Sequence, residues 1–226
     1  MAERGKFITL EGGEGAGKTT QGERLVEALN AAGIETVLTR EPGGTFGSEA
    51  IRDLVLSGTK DRWSGLTELL LMYAARIDHV EKLIQPALAR GAWVISDRFA
   101  DSSMAYQGYA RGVGPEQVAA VHSSVMNGFE PDLTILFDID PILTMKRVET
   151  RGEDLSRFDS ETIDFHKTLR TAFLDIAKAN QERFFTLDAA QPRDAVHQRI
   201  LFAISNAFPE LTGRLTHAND SNRNLS

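Results

Sequence analysis

The chain has 226 residues, of which 42% are hydrophobic, and this is enough to bury the core of one fairly large domain. Cysteine is absent, which excludes disulfides and thiolate metal sites, and the net charge of −7 argues against a general nucleic-acid binder. No apolar stretch approaches the roughly 20 residues that a membrane-spanning helix needs. The N-terminus, MAERGKFITLEGG, lacks the features of a secretion signal, so we expect a cytoplasmic protein with no membrane partner.

Short apolar runs alternate with longer segments of helical periodicity. The runs predict strands over residues 6–10, 35–39, 92–96, 133–138 and 183–187, and several are almost continuously apolar, as in a parallel sheet covered on both faces. Helices are predicted over residues 19–32, 66–90, 140–151, 162–181 and 193–207. Gly33 should end the first of these helices, and Pro86 should kink the second. This alternation predicts the α/β class, with a three-layer α/β/α arrangement.

The chain shows no internal repeat and no low-complexity segment. We therefore predict a single domain over residues 1–210. Residues 211–226 end in THANDSNRNLS, which is polar and lacks a hydrophobic period, and we expect them to form a disordered tail.

The segment GGEGAGKT, residues 12–19, follows the first predicted strand and matches the pattern G-x-x-x-x-G-K-[ST]. Glycines permit positive φ, so the backbone N–H groups of such a loop can surround a polyphosphate at a helix N-terminus. Lys18 can reach the β- and γ-phosphates, and the Thr19 hydroxyl can bind Mg²⁺. The loop predicts a site for a nucleoside triphosphate. Its expected binding residues are Gly12, Gly13, Glu14, Gly15, Ala16, Gly17, Lys18, Thr19 and Thr20.

Four arginines form a second group of candidate anion ligands: Arg40, Arg52, Arg76 and Arg98. Arg40 and Arg98 each follow a predicted strand, and ligands of an open parallel sheet bind beyond the carboxyl ends of its strands. Because a guanidinium binds phosphate oxygens in a bidentate manner, two such arginines could hold a second anion opposite the triphosphate. The GTPase motifs N-K-x-D and D-x-x-G do not occur in the chain, which argues against a GTPase switch.

A phosphate monoester acceptor would need no protein base. Its second pKa is about 6, so at neutral pH it is mostly dianionic and already nucleophilic. The enzyme then has to hold two anions in line, which arginines, Lys18 and Mg²⁺ can do. The histidines are scattered without the spacing of a metal site or triad, and we interpret them as structural or surface residues: His79, His122, His166, His197 and His217.

Six segments carry a family resemblance: FITLEGGEGAGKTTQ, TREPGGT, LLMYAARIDHV, ISDRFADSSMAYQGYARG, PDLTILFDI and LDAAQP. In this order they resemble bacterial thymidylate kinases, from about residue 6 to residue 207. The resemblance implies the P-loop kinase fold, with a five-stranded parallel sheet, and a homodimer. It also implies Mg²⁺-dependent transfer of the γ-phosphate of ATP to dTMP, which gives dTDP for dTTP synthesis.

The resemblance gives roles to the residues nearest the phosphates. Asp97 and Arg98 match the Asp-Arg pair of the family, in which the arginine bridges the donor and acceptor phosphates and the aspartate positions Mg²⁺ and its waters. Asp97 and Thr19 are therefore the expected metal ligands. Lys18, Asp97 and Arg98 are the expected catalytic residues of the ordered part of the site.

The resemblance also assigns contacts to the acceptor sugar and phosphate. Glu14 matches an acidic residue that contacts the 3′-hydroxyl of the deoxyribose, which would explain a carboxylate inside a phosphate loop. Arg40 matches a contact to the acceptor phosphate, and Pro42 a proline that is often cis. Tyr106 matches the tyrosine that crowds out a ribose 2′-hydroxyl.

The acceptor base is expected to meet a further set of residues. By resemblance, Arg76 and Gln107 read the thymine edge, and Ser103 lies nearby. Met72 stands where the family commonly has a phenylalanine stacked on the base, and a flexible thioether orders a ring less well. Tyr106 and Met72 also fit plain core positions, while Gln107 fits a helix cap and Ser103 a turn. The expected substrate-binding residues are Glu14, Arg40, Met72, Arg76, Arg98, Ser103, Tyr106 and Gln107.

Residues 151–161, RGEDLSRFDSE, are charged and aperiodic, so we predict a mobile lid loop. Arg151 and Arg157 match lid arginines of the family and are expected to act on the transferring phosphoryl group. Asp138 and Asp140 could form a second metal site, but we interpret them as capping and solvent-facing residues. The turn at residues 189–192 is expected beside the donor adenine, by resemblance alone.

Two other functions stay open on the sequence. The first is a phosphate-loop kinase that acts on a different nucleoside monophosphate. The second is a nucleotide-gated binding protein without a dedicated acceptor, which the arginines and the missing GTPase motifs disfavour.

Overall fold

The computed structural model describes residues 3–59, 61–149, 158, 161–211 and 214, with the side chains of residues 146–149 left out. Its strands are β1 (Phe7–Glu11), β2 (Thr36–Arg40), β3 (Trp93–Asp97), β4 (Leu133–Asp138) and β5 (Phe184–Asp188). Its helices are α1 (Lys18–Ala31), α2 (Phe46–Leu56), α3 (Gly65–His79), α4 (Gln85–Ala89), α5 (Ala100–Ser103), α6 (Pro115–Met126), α7 (Pro141–Glu149), α8 (Ile163–Ala179) and α9 (Arg193–Ala207). Two π-helical segments, Val80–Ile84 and Met104–Ala110, and a 3₁₀ turn, Pro209–Leu211, complete the described elements.

The strands form one parallel sheet in the order β2-β3-β1-β4-β5. In the central strand β1, Phe7 pairs with Val94 of β3 and Ile8 with Leu133 of β4. Every residue of β1 is buried, because helices cover both faces of the sheet. The predicted three-layer α/β/α architecture with a five-stranded parallel sheet is confirmed.

The apolar core has a layer on each face of the sheet. On one face, Leu25 of α1, Ile200 of α9 and Ile135 of β4 belong to one buried apolar cluster. On the other face, Leu69 of α3 and Val118 of α6 pack in the cluster that includes Phe7 of β1. This double cover fixes the sheet, so the carboxyl ends of its parallel strands present their loops along one edge.

The predicted strands and four of the predicted helices are confirmed to within two residues at each end. Gly33 ends the first helix with a positive φ of 77°, as predicted, and its N–H donates to the carbonyl of Asn30 at 2.9 Å. The helix predicted over residues 66–90 is present to within one residue at each end, but it is not α-helical throughout. It is interrupted by the π-helical segment Val80–Ile84, just before Pro86, because proline has no N–H to donate and its ring clashes with the preceding turn.

Three helical stretches were not predicted. Helix α2 begins after Thr45, whose hydroxyl accepts from the N–H of Ser48, and α6 begins with proline at its first position after Gly114. Both carry recognisable start signals that the apolar periodicity did not reveal. The stretch formed by α5 and Met104–Ala110 is mostly buried, including the polar side chains of Asp101, Ser102, Ser103 and Gln107, so it lacks the solvent-facing polar side that an amphipathic pattern would reveal.

The described residues contain no helix that is both long enough and apolar enough to cross a membrane. Leu211 is buried in the core cluster of α1 and α9. Residues 212–213 and 215–226 lie outside the described residues, so the predicted division into a domain and a tail stays a prediction.

Candidate active site

The loop between β1 and α1 has the backbone that the glycine pattern predicts. Gly12, Gly15 and Gly17 all have positive φ, and a Cβ atom on Gly12 would lie 2.7 Å from the carbonyl oxygen of Phe137. Gly17 is the N-cap of α1 and brings no capping side chain, so the first N–H groups of the helix are left to an anion. Ala16 packs its methyl group into the core, and Thr20 is half-buried on α1, so Ala16 can offer a ligand only its backbone.

Lys18 is buried beneath this loop. Its ammonium group donates to the carbonyl oxygens of Gly12 at 3.0 Å and Gly13 at 2.8 Å. Burial, together with the nearby charge of Arg98, lowers the pKa of Lys18 to about 8. A polyphosphate in the loop would favour the charged form, so the lysine is well placed to gain from an anion.

Thr19 and Asp97 bring two oxygen ligands together across the sheet edge. The hydroxyl of Thr19, at the start of α1, donates to Asp97 Oδ2 at the end of β3, at 2.8 Å. No group of three or more histidine, aspartate or glutamate side chains suited to a metal occurs among the described residues. The Thr19–Asp97 pair fits Mg²⁺, which is usually held by one or two protein oxygens together with phosphates and water.

Arg98 follows β3 and turns back over the phosphate loop. Its φ of 75° lies in the left-handed region, which a non-glycine residue rarely adopts. Its Nη1 donates to the carbonyl of Gly12 at 3.0 Å and to Ser102 Oγ at 3.1 Å, and its Nη2 donates to Glu14 Oε1 at 3.2 Å. Burial would lower the pKa of Arg98, but Tyr106, Glu14 and Asp97 raise it above its usual value. The guanidinium is thus a fixed cation inside the site.

The carboxylate of Glu14 is hydrogen-bonded and ion-paired to several neighbours, which explains how it is tolerated in this loop. It accepts from the hydroxyl of Tyr106 and from Arg98, and its Oε2 lies 3.6 Å from His166 Nδ1. Burial would raise the pKa of Glu14, but Arg98, Lys18 and Tyr106 lower it below its usual value. His166 therefore contacts the site. Its position in the sequence did not indicate this contact.

One cavity of about 770 Å³ connects the phosphate loop with the region beyond β2 and β3. At one end are residues of the loop and the Thr19–Asp97 pair, and at the other are side chains from α3 and the segment Met104–Ala110. The predicted residues that line it are Glu14, Gly15, Lys18, Thr19, Arg40, Met72, Asp97, Arg98, Tyr106 and Gln107.

Comparison with known proteins agrees with this geometry. The family model described as thymidylate kinase matches residues 10–200. A thymidylate kinase of Caulobacter vibrioides is 49% identical over 193 residues, which are 85% of this chain and 92% of that protein. One from Pseudomonas fluorescens is 48% identical over 202 residues, or 89% of this chain and 96% of that protein. The chain belongs to the thymidylate kinase family.

A solved structure supports the same relationship. The crystal structure of thymidylate kinase from Ehrlichia chaffeensis matches this fold with a TM-score of 0.71 at 33% sequence identity. The match covers 89% of this chain and 99% of that one. The P-loop kinase fold predicted from the sequence is therefore confirmed.

Arg40 and Arg52 line the same wall of the cavity in this member of the family. Arg40 is exposed and pairs with Glu49 at 3.3 Å, while Arg52 donates to the carbonyl of Pro42 at 2.7 Å. Burial lowers the pKa of Arg52, and the charge of Arg40 adds to this effect. The peptide bond before Pro42 is cis, as the resemblance implied. Sequence reasoning noted Arg52 but gave it no role of its own.

Arg76 and Ser103 lie behind the cavity wall. Arg76 is fully buried, and it donates to Glu41 Oε2 at 2.7 Å, to the carbonyl of Phe99 at 3.0 Å and to Ser103 Oγ at 3.0 Å. His79 also meets Glu41, at 3.1 Å. These contacts tie the loop after β2 to α3 and to the loop after β3. A contact of Arg76 or Ser103 with the acceptor base stays a prediction.

The predicted lid residues Arg151 and Arg157 lie outside the described residues. Asp140 caps α7 as predicted, since its Oδ1 accepts from the N–H of Ile142 at 2.8 Å. The interpretation of Asp138 was wrong, because its carboxylate is held by Arg170 at 2.6 and 3.1 Å instead of facing solvent alone. In the turn after β5, the N–H of Ala190 donates to Asp188 at 2.9 Å.

Glu11 is buried beneath the turn that carries Arg98, and the sequence analysis did not identify it as part of the site. It is fully buried at the end of β1 and accepts from the N–H of Phe99 at 2.8 Å and the hydroxyl of Ser102 at 2.6 Å. Burial raises the pKa of Glu11 to about 7, and the charge of Asp101 adds to this rise. The carboxylate thus anchors both sides of the turn that carries Arg98.

The raised pKa of Glu11 predicts a pH-dependent stability. Between the ordinary pKa of 4.5 and about 7, the folded protein holds a proton that the unfolded chain has released. The stability contributed by this proton is complete below pH 4.5 and is lost as the pH rises through 7. Glu11→Gln should remove the loss, so between pH 4.5 and 7.5 the variant should gain about 1–3 kcal/mol relative to wild type.

Urea unfolding at several pH values would measure this difference. Glu182→Gln, at an exposed position, is the matched control for the loss of one surface carboxylate. A difference between wild type and Glu11→Gln that stays constant with pH would contradict the raised pKa.

Proposed function

We propose that the protein is a dTMP kinase that transfers the γ-phosphate of ATP to dTMP and forms dTDP and ADP. Membership of the thymidylate kinase family supports this activity. The observation that carries it is the single cavity that joins the phosphate loop to a second, arginine-lined region. One cavity with two anion-binding ends is what a direct transfer between two nucleotides requires.

The donor is proposed to bind through the phosphate loop. The N–H groups of residues 12–20 would surround its β- and γ-phosphates, and Lys18 would leave the carbonyls of Gly12 and Gly13 to bind phosphate oxygens. Thr19 and Asp97 would hold Mg²⁺, which neutralises phosphate charge when bound. Gln191 and its neighbours at residues 189–192 are proposed to flank the adenine.

The acceptor is proposed to bind at the other end of the cavity. Arg40, with Arg52 beside it, would hold the monophosphate, while Met72, which also lines the cavity, would face the base. The hydroxyl of Tyr106 bonds Glu14, which fixes the ring, and the ring is proposed to occupy the space that a ribose 2′-hydroxyl would need. A deoxyribose leaves that space free, and its 3′-hydroxyl could donate to the carboxylate of Glu14.

Arg98 is proposed to bridge the two nucleotides. Its Nη1 already contacts the carbonyl of Gly12 in the donor loop, and its side chain lines the acceptor region as well. A fixed guanidinium between two phosphates cancels their repulsion and stabilises charge on the transferring group. The acceptor phosphate is its own nucleophile, so no residue has to remove a proton from it.

An assay of ADP release tests the activity and its two alternatives. With ATP and Mg²⁺, dTMP should give the highest kcat/KM among dTMP, dUMP, dCMP and dGMP. Arg98→Ala should lower kcat by about 10²–10⁴-fold, because a transition-state cation is lost. Arg90→Ala, which removes a half-exposed arginine paired with Glu35, is the control and should leave kcat unchanged.

Two outcomes of this assay would count against the proposal. A higher kcat/KM for another monophosphate would make the protein a kinase of that acceptor. ADP release that no monophosphate stimulates would favour the nucleotide-gated binding protein.

Methionine at position 72 should pack against the acceptor base less well than the phenylalanine that is common in the family. Met72→Phe should lower the KM for dTMP by about two- to tenfold, because a ring stacked on a base contributes about 0.5–1.5 kcal/mol beyond its area. Met72→Leu, which keeps the volume without a ring, should not lower it. Steady-state kinetics would compare the three proteins, and an unchanged or higher KM in Met72→Phe would contradict the stacking role.

We also propose a homodimer, since exposed apolar side chains lie on the adjoining helices α2 and α3. Phe46 is 96% exposed and Leu70 52%, and Leu54 and Leu66 are also exposed. Leu70→Asp should therefore shift the protein towards a monomer in sedimentation velocity, whereas Phe202→Asp on α9 should not. A wild-type monomer at micromolar concentration would contradict the dimer. The expected cytoplasmic location stays a prediction.

A further inference from the structure

The side-chain amide of Gln107 is held in one orientation by a buried carboxylate. Gln107 is 1% exposed, lies in the π-helical segment Met104–Ala110 and lines the acceptor end of the cavity. Its Nε2 donates to Oε1 of Glu68 at 2.8 Å. Glu68 lies in the first turn of α3 and is fully buried.

This contact determines which end of the amide faces the ligand. An ionised carboxylate can only accept hydrogen bonds, so the NH₂ group of Gln107 must point to Glu68 and its carbonyl must point away. The carbonyl oxygen is buried and has no hydrogen-bond partner in the part of the chain that the structure describes. A buried acceptor left without a donor costs about 1–3 kcal/mol, and a ligand that supplies the donor would remove this cost.

Arg111 places a positive charge beside the carboxylate of Glu68. Its Nε lies 3.7 Å from Glu68 Oε1, and its Nη2 lies 3.0 Å from Glu161 Oε1. The guanidinium also lies over the rings of Phe158 and Phe165, at 5.7 and 5.4 Å from their centres. A cation fixed in this way neutralises a buried carboxylate, which is otherwise costly in a low dielectric. The pair keeps Glu68 as an acceptor for the Gln107 amide.

Arg76 provides a second unpartnered group in the same region of the fold. Nη1 of Arg76 is buried without a hydrogen-bond partner among the described residues, while Nη2 of the same side chain bonds Ser103, which is one turn before Gln107. An acceptor and a donor offered together would complement a base edge with a ring N–H next to a carbonyl. Thymine and uracil have this edge at N3 and O4. Cytosine presents the reverse pattern there, an unprotonated ring nitrogen and an amino group.

We propose that Glu68 is a positioning residue for base selection, which fixes the Gln107 amide so that it offers the acceptor base only a carbonyl oxygen. This inference rests on the proposed function, because it concerns the base of the acceptor nucleotide. A site whose buried polar group matches one pattern discriminates strongly against the reverse pattern, since the mismatch leaves two acceptors facing each other. Glu68 itself does not need to touch the ligand.

Glu68→Gln tests this role with almost no change in volume. A glutamine at this position can donate as well as accept, so the Gln107 amide can turn and present its NH₂ group to the cavity. The ratio of kcat/KM for dTMP to that for dCMP should fall by about 10- to 100-fold, mainly through KM. Glu68→Asp keeps an acceptor-only group and is the matched control, so it should retain the ratio even if total activity falls.

A reciprocal exchange provides a second test that preserves the packing. In the double variant Glu68→Gln with Gln107→Glu, the new amide can donate to the new carboxylate, whose other oxygen again faces the cavity as an acceptor. This protein should regain selectivity for dTMP over dCMP. Isothermal titration with dTMP and dCMP alone would give the same ranking without turnover, and it would serve if catalysis is impaired.

The outcomes separate this inference from the proposed function. Equal losses for dTMP and dCMP in a folded Glu68→Gln protein, or no recovery in the folded double variant, would make Glu68 a purely structural residue and overturn the inference alone. A wild-type protein inactive on dTMP would overturn the proposed function, and the inference with it.

Discussion

The guanidinium of Arg98 is the contact on which the arrangement of the site depends, because it joins the phosphate loop to the turn and helix that follow β3. It donates to the carbonyl of Gly12 and the carboxylate of Glu14 in the phosphate loop, and to Ser102 in the helix after β3. Its backbone has to adopt a left-handed conformation to reach this position. The turn is held by Glu11, whose carboxylate binds Ser102 and the N–H of Phe99.

Charges of opposite sign alternate through this part of the molecule. Arg98 lies between the carboxylates of Glu11 and Glu14, and Lys18 lies near both Glu14 and Asp97. In the protein alone, these pairings hold the cations in place, but they do not fully compensate the burial of Lys18, whose pKa is lowered to about 8. Incoming phosphates would meet donors that are already oriented, which reduces the cost of ordering them at the moment of reaction.

Local patterns in the sequence were sufficient to predict the sheet and the phosphate loop. Continuous apolar runs identify strands buried on both faces, and the glycine spacing identifies a backbone that must bend around an anion. The contacts that orient the site could not be predicted in this way. Glu11 meets Ser102, and Glu68 meets Gln107, across separations of 91 and 39 residues, and nothing in the local sequence distinguishes these glutamates from solvated ones.

Buried glutamates make an acidic chain compatible with the proposed site for two anions. Three parts of the site are backed by a buried glutamate: Glu11 holds the turn of Arg98, Glu41 binds Arg76 and Glu68 binds the amide of Gln107. A site for nucleotides needs cations and donors at its surface, but a cluster of like charges would destabilise the folded protein before any ligand arrives. The carboxylates of Glu41 and Glu68 offset part of that positive charge and, because carboxylates only accept, also direct the donors of Arg76 and Gln107. The net charge of −7 is therefore compatible with an anion-binding site, since part of it lies in the carboxylates that direct these donors.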